Sequence, residues 1–303
     1  MKHFICITFI FFTAAFAFSH SEEDVRGLFN AIKDANYELF TYYIEKKQVG
    51  INSTHKVDMT MHFSRDRDLP ERRDEITPLC YLCSIRPRIY SIEDIEWNYR
   101  NELKRDVYDR MFLYLLDNGA DIHYKSNFGL TCIEYFYNDF SPPFVKIYIA
   151  WLKELVRRGF SLSEAKSLQW RMILNNEKEV FDYYISFGEK LDKIVTYKNV
   201  SNMNMLQLSI RCNMEWFMNR IIELGLNDLN HQDSEGNTPL HYMISNDFYS
   251  WEFDSDFRLE SVKRMIELGA NPHIKNNKNE TPFDMAIRMN VQKCAVFLMQ
   301  FEQ

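Results

Sequence analysis

Glycine and proline are scarce, nine and eight in 303 residues. That leaves little material for flexible linkers, so the length suits one large domain or one extended repeat array. Alternating β-branched stretches are sparse as well, whereas Phe, Tyr, Ile and Asn are plentiful, which favours helices over sheets. The short motifs of catalysis are missing too. There is no G-x-S-x-G, no H-E-x-x-H, no phosphate-cradling glycine loop and no Cys–His pair in a recognisable context. The expectation is a protein that is not an enzyme and carries no cofactor. Asp254 and Asp256 are close carboxylates, but they sit in an aromatic stretch without the surroundings of a catalytic pair.

Positive charge falls short of negative, with 36 Lys and Arg against 43 Asp and Glu and a formal charge of −7. An acidic surface argues against nucleic acid or an anionic membrane as partner. It suits a basic partner, although a charge of this size is also ordinary for solubility. Long apolar runs are nearly absent. The exception is "FICITFIFFTAAFAF" (4–18), which follows Lys2 and leads into small residues Ala15, Ala17 and Ser19, with acidic residues just beyond. This is the layout of a secretory signal peptide over residues 1–19, and its fifteen apolar residues fall short of the ~20 that span a bilayer. Cleavage near Ala17 or Ser19 is expected, giving an exported product with no membrane insertion; loss of Lys2 takes the charge from −7 to −8.

Five of the six cysteines remain after cleavage: Cys80, Cys83, Cys132, Cys212 and Cys294. An odd number cannot all pair internally, and their apolar surroundings suit small buried residues. Cys80 and Cys83 form a C-x-x-C, a pattern used in redox and metal sites, but no second pair follows at zinc spacing. His55 and His62 likewise have no further ligand suitably spaced, so no metal is expected.

What the sequence does contain is a period. "NGADIHYKSNFGLT" (118–131) and "LGANPHIKNNKNET" (268–281) align Gly119 with Gly269, Ala120 with Ala270, His123 with His273, Lys125 with Lys275 and Asn127 with Asn277. In both segments the glycine precedes a threonine by twelve residues. Thr77, Thr131, Thr238 and Thr281 each open a helical pattern, as an N-cap threonine does, and Pro78, Pro239 and Pro282 follow three of them. Second apolar-periodic segments then end in glycine: "MFLYLLDNG", "WLKELVRRG", "FDYYISFG", "FMNRIIELG" and "SVKRMIELG". The unit is helix, turn, helix, glycine and a loop returning to the next threonine.

This unit resembles the ankyrin repeat, whose period is about 33 residues and whose signature is T-P-L-H-x-A. The likeness is sharpest at Thr238, Pro239, Leu240 and His241 and at Thr281, Pro282, Phe283 and Ala286, and good at Thr77, Pro78 and Leu79. It is weaker for "TCIEYF", "NMLQLSI" and "LQWRMIL". The resemblance implies an all-α solenoid of stacked helix-turn-helix units with connecting loops, over residues 20–303. About seven units are expected: 25–54, 76–128, 129–165, 166–200, 201–236, 237–279 and 280–303. The histidine of this family bonds to the threonine and to the neighbouring loop, so the resemblance implies a structural role for His241, not a catalytic one.

The departures from the pattern point toward function. Thr77 to Thr131 spans 54 residues and Thr238 to Thr281 spans 43, roughly 21 and 10 more than the period. The extra material lies between the two helices of a unit, at 86–110 and 246–258, with a smaller piece at 138–144. Insertions at equivalent points project from one edge, often the binding face. In the 246–258 stretch Phe248, Tyr249, Trp251, Phe253 and Phe257 alternate with Asp247, Glu252, Asp254 and Asp256. These rings either anchor a partner or fold back over helix ends; the sequence leaves both open. Residues 53–75 read as a solvated extended loop, with partner contact as the lesser option. The resemblance implies a protein-binding scaffold that is monomeric when free. Exported ankyrin proteins of Gram-negative bacteria include immunity proteins that neutralise secreted antibacterial toxins, so the partner expected is a protein, a basic toxin or effector among the candidates. Export places it in the periplasm, with the extracellular medium as the alternative. Two further readings stay open: a redox or oxidative-stress accessory using Cys80 and Cys83, and a secreted effector that binds a host protein.

Overall fold

The computed structural model describes residues 21–58, 73–85, 95–135, 145–226, 228–245 and 255–302, with side chains described for all of these except 95–103, 145–148 and 255. Fourteen α-helices form seven consecutive pairs among the described residues. The first two pairs are α1 (Glu22–Lys33) with α2 (Tyr37–Glu45) and α3 (Pro78–Ser84) with α4 (Ile95–Asp117). Next come α5 (Cys132–Tyr135) with α6 (Val145–Arg157) and α7 (Leu168–Leu174) with α8 (Lys178–Ser186). The last three are α9 (Met205–Arg211) with α10 (Glu215–Glu223), α11 (Pro239–Ile244) with α12 (Ser255–Glu267), and α13 (Pro282–Arg288) with α14 (Gln292–Leu298). Among the described residues there are also two antiparallel strand pairs, β1 (His55–Asp58) with β2 (Arg73–Ile76) and β3 (Val195–Tyr197) with β4 (Val200–Met203).

First helices stack on first helices, α1 on α3, α3 on α5, α7 on α9, α9 on α11 and α11 on α13; α2 packs on α4, α6 on α8 and α12 on α14 in a second layer. A short helix has one apolar stripe and cannot bury it alone, so each pair depends on its neighbours. Leu28, Ile32, Phe40, Leu79, Phe181, Phe217, Met243 and Leu298 are all fully buried along this continuous core. Large rings join successive second helices. Trp151 of α6 stacks on Phe112 of α4 with centroids 4.2 Å apart, and Phe181 of α8 meets Phe217 of α10 edge to face at 5.3 Å.

Helix boundaries follow local chemistry. Thr77 Oγ1 accepts Cys80 N at 3.3 Å and Thr281 Oγ1 accepts Asp284 N at 3.1 Å, each ahead of a proline whose missing N–H costs nothing at that position. At the end of α12, Gly269 adopts φ +103°; its N–H bonds to Ile266 O and that of Ala270 to Met265 O, both at 2.9 Å. This paired closure satisfies the last carbonyls and needs a left-handed residue. Gly119 ends α4 in the same hand, at φ +83°.

The turn inside each pair separates two kinds of unit. Ala35, Asn176, Asn213 and Asn290 stand at φ between +54° and +57° in the first, fourth, fifth and seventh pairs. The residue after each sends its N–H back five positions, as Glu177 N does to Met172 O at 2.8 Å and Val291 N to Ala286 O at 2.9 Å. The second, third and sixth pairs carry the extra residues at this same place, and their second helices are longer: 23, 13 and 13 residues against 9, 9, 9 and 7 elsewhere. The expectation of a projecting 86–110 insertion is therefore corrected, because 95–110 continue α4; residues 86–94 lie outside the described residues. The solvated-loop reading of 53–75 is corrected at its two ends. These ends pair as β1 and β2, with His55 opposite Ile76 and Val57 opposite Asp74, so the backbone groups that face the partner strand are satisfied. Residues 59–72, and with them His62, lie outside the described residues.

Candidate functional site

One position of four first helices bonds to the loop that follows its unit, and it is filled by different residue types. In α11, Nδ1 of the buried His241 lies 3.1 Å from Thr238 N and 2.9 Å from Thr238 Oγ1, while Nε2 lies 3.0 Å from Glu280 O in the following unit. Burial lowers the His241 pKa, so the ring is neutral, accepting from Thr238 at Nδ1 and donating from Nε2. Gln207 of α9 performs both tasks: Oε1 accepts Asn204 N at 2.9 Å, and Nε2 donates to His231 O and Asn237 O at 3.0 and 2.7 Å. Glu134 of α5 accepts Thr131 N at 2.9 Å through Oε2 and Ser167 N and Oγ at 2.9 and 2.7 Å through Oε1. Gln169 of α7 accepts Lys193 N at 3.0 Å and donates to Lys190 O at 2.8 Å. The roles of Glu134, Gln169 and Gln207 are new with the structure. For Glu134 and Gln207 the sequence signal was the capping-box spacing, T-x-x-E and N-x-x-Q, which carries no histidine and so escapes a search for the signature; Gln169 has no such spacing.

The next unit's loop also fixes the β3–β4 hairpin, and Gln169 holds residues 190–193 just before it. Its turn is two residues, Lys198 at φ +48° and Asn199 at φ +69°, the left-handed pair that matches strand twist. Asn202 Nδ2 donates to Gln232 O at 2.8 Å, His231 Nε2 lies 2.7 Å from Asn202 O, and Ser201 N bonds to Ser234 Oγ at 2.9 Å. Held from both sides, the hairpin overhangs a groove of about 330 Å3 between α7 and α9, lined by Trp170, Leu174, Ile194, Val195, Tyr197 and Leu208 with Thr196. Ile194 is exposed despite its size. Burial pushes the Tyr197 hydroxyl up to about 12, which keeps it neutral and a hydrogen-bond donor.

Of the seven residues expected to contact a partner, Phe248, Tyr249, Trp251, Phe253 and Asp254 lie outside the described residues. Asp256 and Phe257 stand in the first turn of α12 rather than in a loop; Asp256 pairs with Lys293 of α14, and Phe257 is half-buried against the core. Thr77, Pro78, Leu79, Thr131, Thr238, Pro239, Leu240, Thr281 and Pro282 all line the starts of first helices and are buried. Cys80 and Cys83 are buried on α3, and burial pushes both thiols well up from their usual value; Cys132 of α5 lies against them. A redox accessory needs an accessible thiol of low pKa, and neither residue provides one. Among the described residues no group of His, Cys, Asp and Glu is arranged to hold a metal ion, and no helix is long and apolar enough to cross a membrane.

Stacked helix pairs, threonine-proline starts, left-handed glycine stops and hairpin fingers define an ankyrin-repeat solenoid, a fold that serves as a protein-binding scaffold. Residues 235–277 match the ankyrin-repeat family model. The chain is similar to the ankyrin repeat domain of Bcl-3, described as a unique member of the IkappaB protein family, at TM-score 0.56 and 15% identity over 90% of this chain and 97% of that one. It is similar also to the human ASB11 ankyrin repeat domain, at TM-score 0.52 and 13% identity over 89% and 96%. At these identities the likeness concerns the fold. No curated protein sequence matches the chain.

Proposed function

We propose that this chain is an exported scaffold that binds another protein, in the form of an immunity protein that holds a secreted antibacterial toxin inactive. The observation that carries the binding reading is the groove under the β3–β4 hairpin, where large apolar side chains face solvent on a rigidly held support. Rigid, partly exposed aromatic side chains give binding energy at low ordering cost. The leader-like residues 1–19, which lie outside the described residues, support export to the periplasm, with the medium as the alternative. Free protein is proposed to be monomeric. The basic-partner form of the reading rests on the acidic 246–258 stretch. The experiment is recovery of the tagged, processed protein from the periplasm of its native host, with identification of what co-elutes. A stoichiometric toxin supports the immunity role. A housekeeping envelope protein leaves a binding scaffold and removes the toxin, and full recovery from the cytoplasm removes export.

A further inference from the structure

The groove under the β3–β4 hairpin carries a charge opposite to that of the whole protein. The formal charge of the chain is −7, yet cations border the apolar floor. Arg171 lies over the Trp170 ring with Cζ 4.9 Å from the centroid, Lys198 over Tyr197 with Nζ at 5.4 Å, and Arg211 over Tyr242 with Cζ at 5.6 Å. Lys198 is exposed at the hairpin tip, and neither it nor Arg211 has a carboxylate partner among the described residues. Arg211 Nε is also shielded from solvent without an acceptor, an arrangement that costs free energy unless an acceptor arrives. Nearby carboxylates are already engaged. Asp192 pairs with Lys193 at 3.3 Å, and the buried Asp233 accepts the Tyr242 hydroxyl together with Glu235 N and Asn237 N at 2.8 and 3.0 Å.

The size of the groove narrows its occupant. About 330 Å3 is near the floor of the ~300–1,000 Å3 range of ligand pockets, and it is open along one side, which suits one or two side chains of a peptide. Trp170 and Tyr197 offer ring surfaces to an apolar side chain, and Leu174, Ile194 and Leu208 complete the floor. Arg171 and Lys198 lie over those two rings, and Arg211 is near enough to act electrostatically on the Tyr197 hydroxyl. We propose that this groove takes an acidic peptide segment of the partner, one aromatic or branched apolar side chain seated against Trp170 and Tyr197 and carboxylates on Lys198 and Arg211. This rests on the binding-scaffold reading and adds the chemistry of the recognised segment. Cations over ring faces are desolvated on one side and pre-oriented, so a carboxylate gains a charge-assisted bond without ordering a long side chain first.

The probe is a phage-displayed library of random twelve-residue peptides, panned on the processed full chain and counter-panned on Lys198→Glu/Arg211→Glu. Enriched peptides are then synthesised and titrated by fluorescence polarisation. The expected result is enrichment of net-negative peptides with an aromatic or branched apolar residue. Their affinity falls about tenfold in Trp170→Ala and at least severalfold in Lys198→Glu, with a shallower salt dependence in the latter. Lys198 is exposed on a turn, so this variant retains the fold even where Trp170→Ala lowers stability. Enrichment of neutral or basic peptides, affinities indifferent to these substitutions, or no enrichment overturns the inference. The two readings separate in the native host. A partner that co-elutes equally with wild type and Lys198→Glu/Arg211→Glu leaves the scaffold standing and removes the acidic-segment site; absence of any partner removes the scaffold itself.

Discussion

Gly236 is a glycine at which a side chain would meet the backbone of the neighbouring loop, and its replacement tests how successive loops are joined. It sits at φ +75°, and a Cβ there would lie 2.7 Å from the backbone nitrogen of Asn277 and 2.6 Å from its Oδ1. That nitrogen donates to Glu235 O, and Asn277 Nδ2 donates to Ser234 O, both at 2.9 Å. Gly236→Ala therefore meets two costs. The left-handed backbone costs an alanine about 1–2 kcal/mol. Displacing the 276–277 loop weakens a bond worth about 0.5–1.5 kcal/mol net. The sum is about 1.5–3.5 kcal/mol. Gly269 supplies the control, since it stands at φ +103° with nothing within 4 Å of the added Cβ. Gly269→Ala meets the backbone cost alone, about 1–2 kcal/mol. Urea denaturation of both variants gives the totals, and hydrogen exchange gives the location, because repeat arrays need not unfold in one step. The Asn277 amide should lose protection in Gly236→Ala by more than the amides of α9 do. Equal destabilisation by the two variants, or unchanged protection at Asn277, would refute the reasoning.

The His241 pKa is lowered by burial, so the unfolded chain takes up the proton first. Stability should fall as pH drops below about 6.5 and level off below the folded-state value. His241→Gln keeps both bonds in the manner of Gln207 and should flatten this slope in melting scans; His55, lowered for the same reason, retains part of it. An identical pH profile would count against a neutral, donating ring. Under native conditions Cys80, Cys83 and Cys132 should react with a thiol reagent only as fast as the protein opens, whereas rapid labelling of Cys80 and Cys83 would revive the redox reading. Trp251→Ala is expected to leave folding intact and weaken partner binding by about 2 kcal/mol, as for a hot-spot residue. Loss of folding instead would mean that this ring covers the core.

The parts of this fold that could be read from sequence are those set by single residues in fixed geometry. Gly269 and Gly119 announce left-handed stops, and Thr77, Thr238 and Thr281 with their prolines announce helix starts, because few residue types satisfy those backbones. The ties between units were harder to read. Glu134 and Gln207 do the same work as His241 with different atoms, and Gln169 makes only the loop half of it, so geometry is kept while the letters change. Pairing of β1 with β2 was hidden because four-residue strands separated by a long connection carry little local pattern. Extension of α4 back to Ile95 was hidden by the mixed charge of 95–110, which reads as well for a solvated loop as for an exposed helix. The groove was invisible for a different reason. Trp170, Ile194, Tyr197 and Leu208 come from two helices and a hairpin, and only stacking brings them together.

The central claim, that this solenoid exists to hold another protein, is tested most directly by one purification. The processed, tagged protein is recovered from its native host at its natural abundance, beside Trp170→Ala and Lys198→Glu/Arg211→Glu, and bound material is quantified. The account predicts one protein at near-equal stoichiometry with wild type and a marked loss with both variants. Recovery of the wild-type protein alone, at concentrations and salt where the complex should persist, would contradict it.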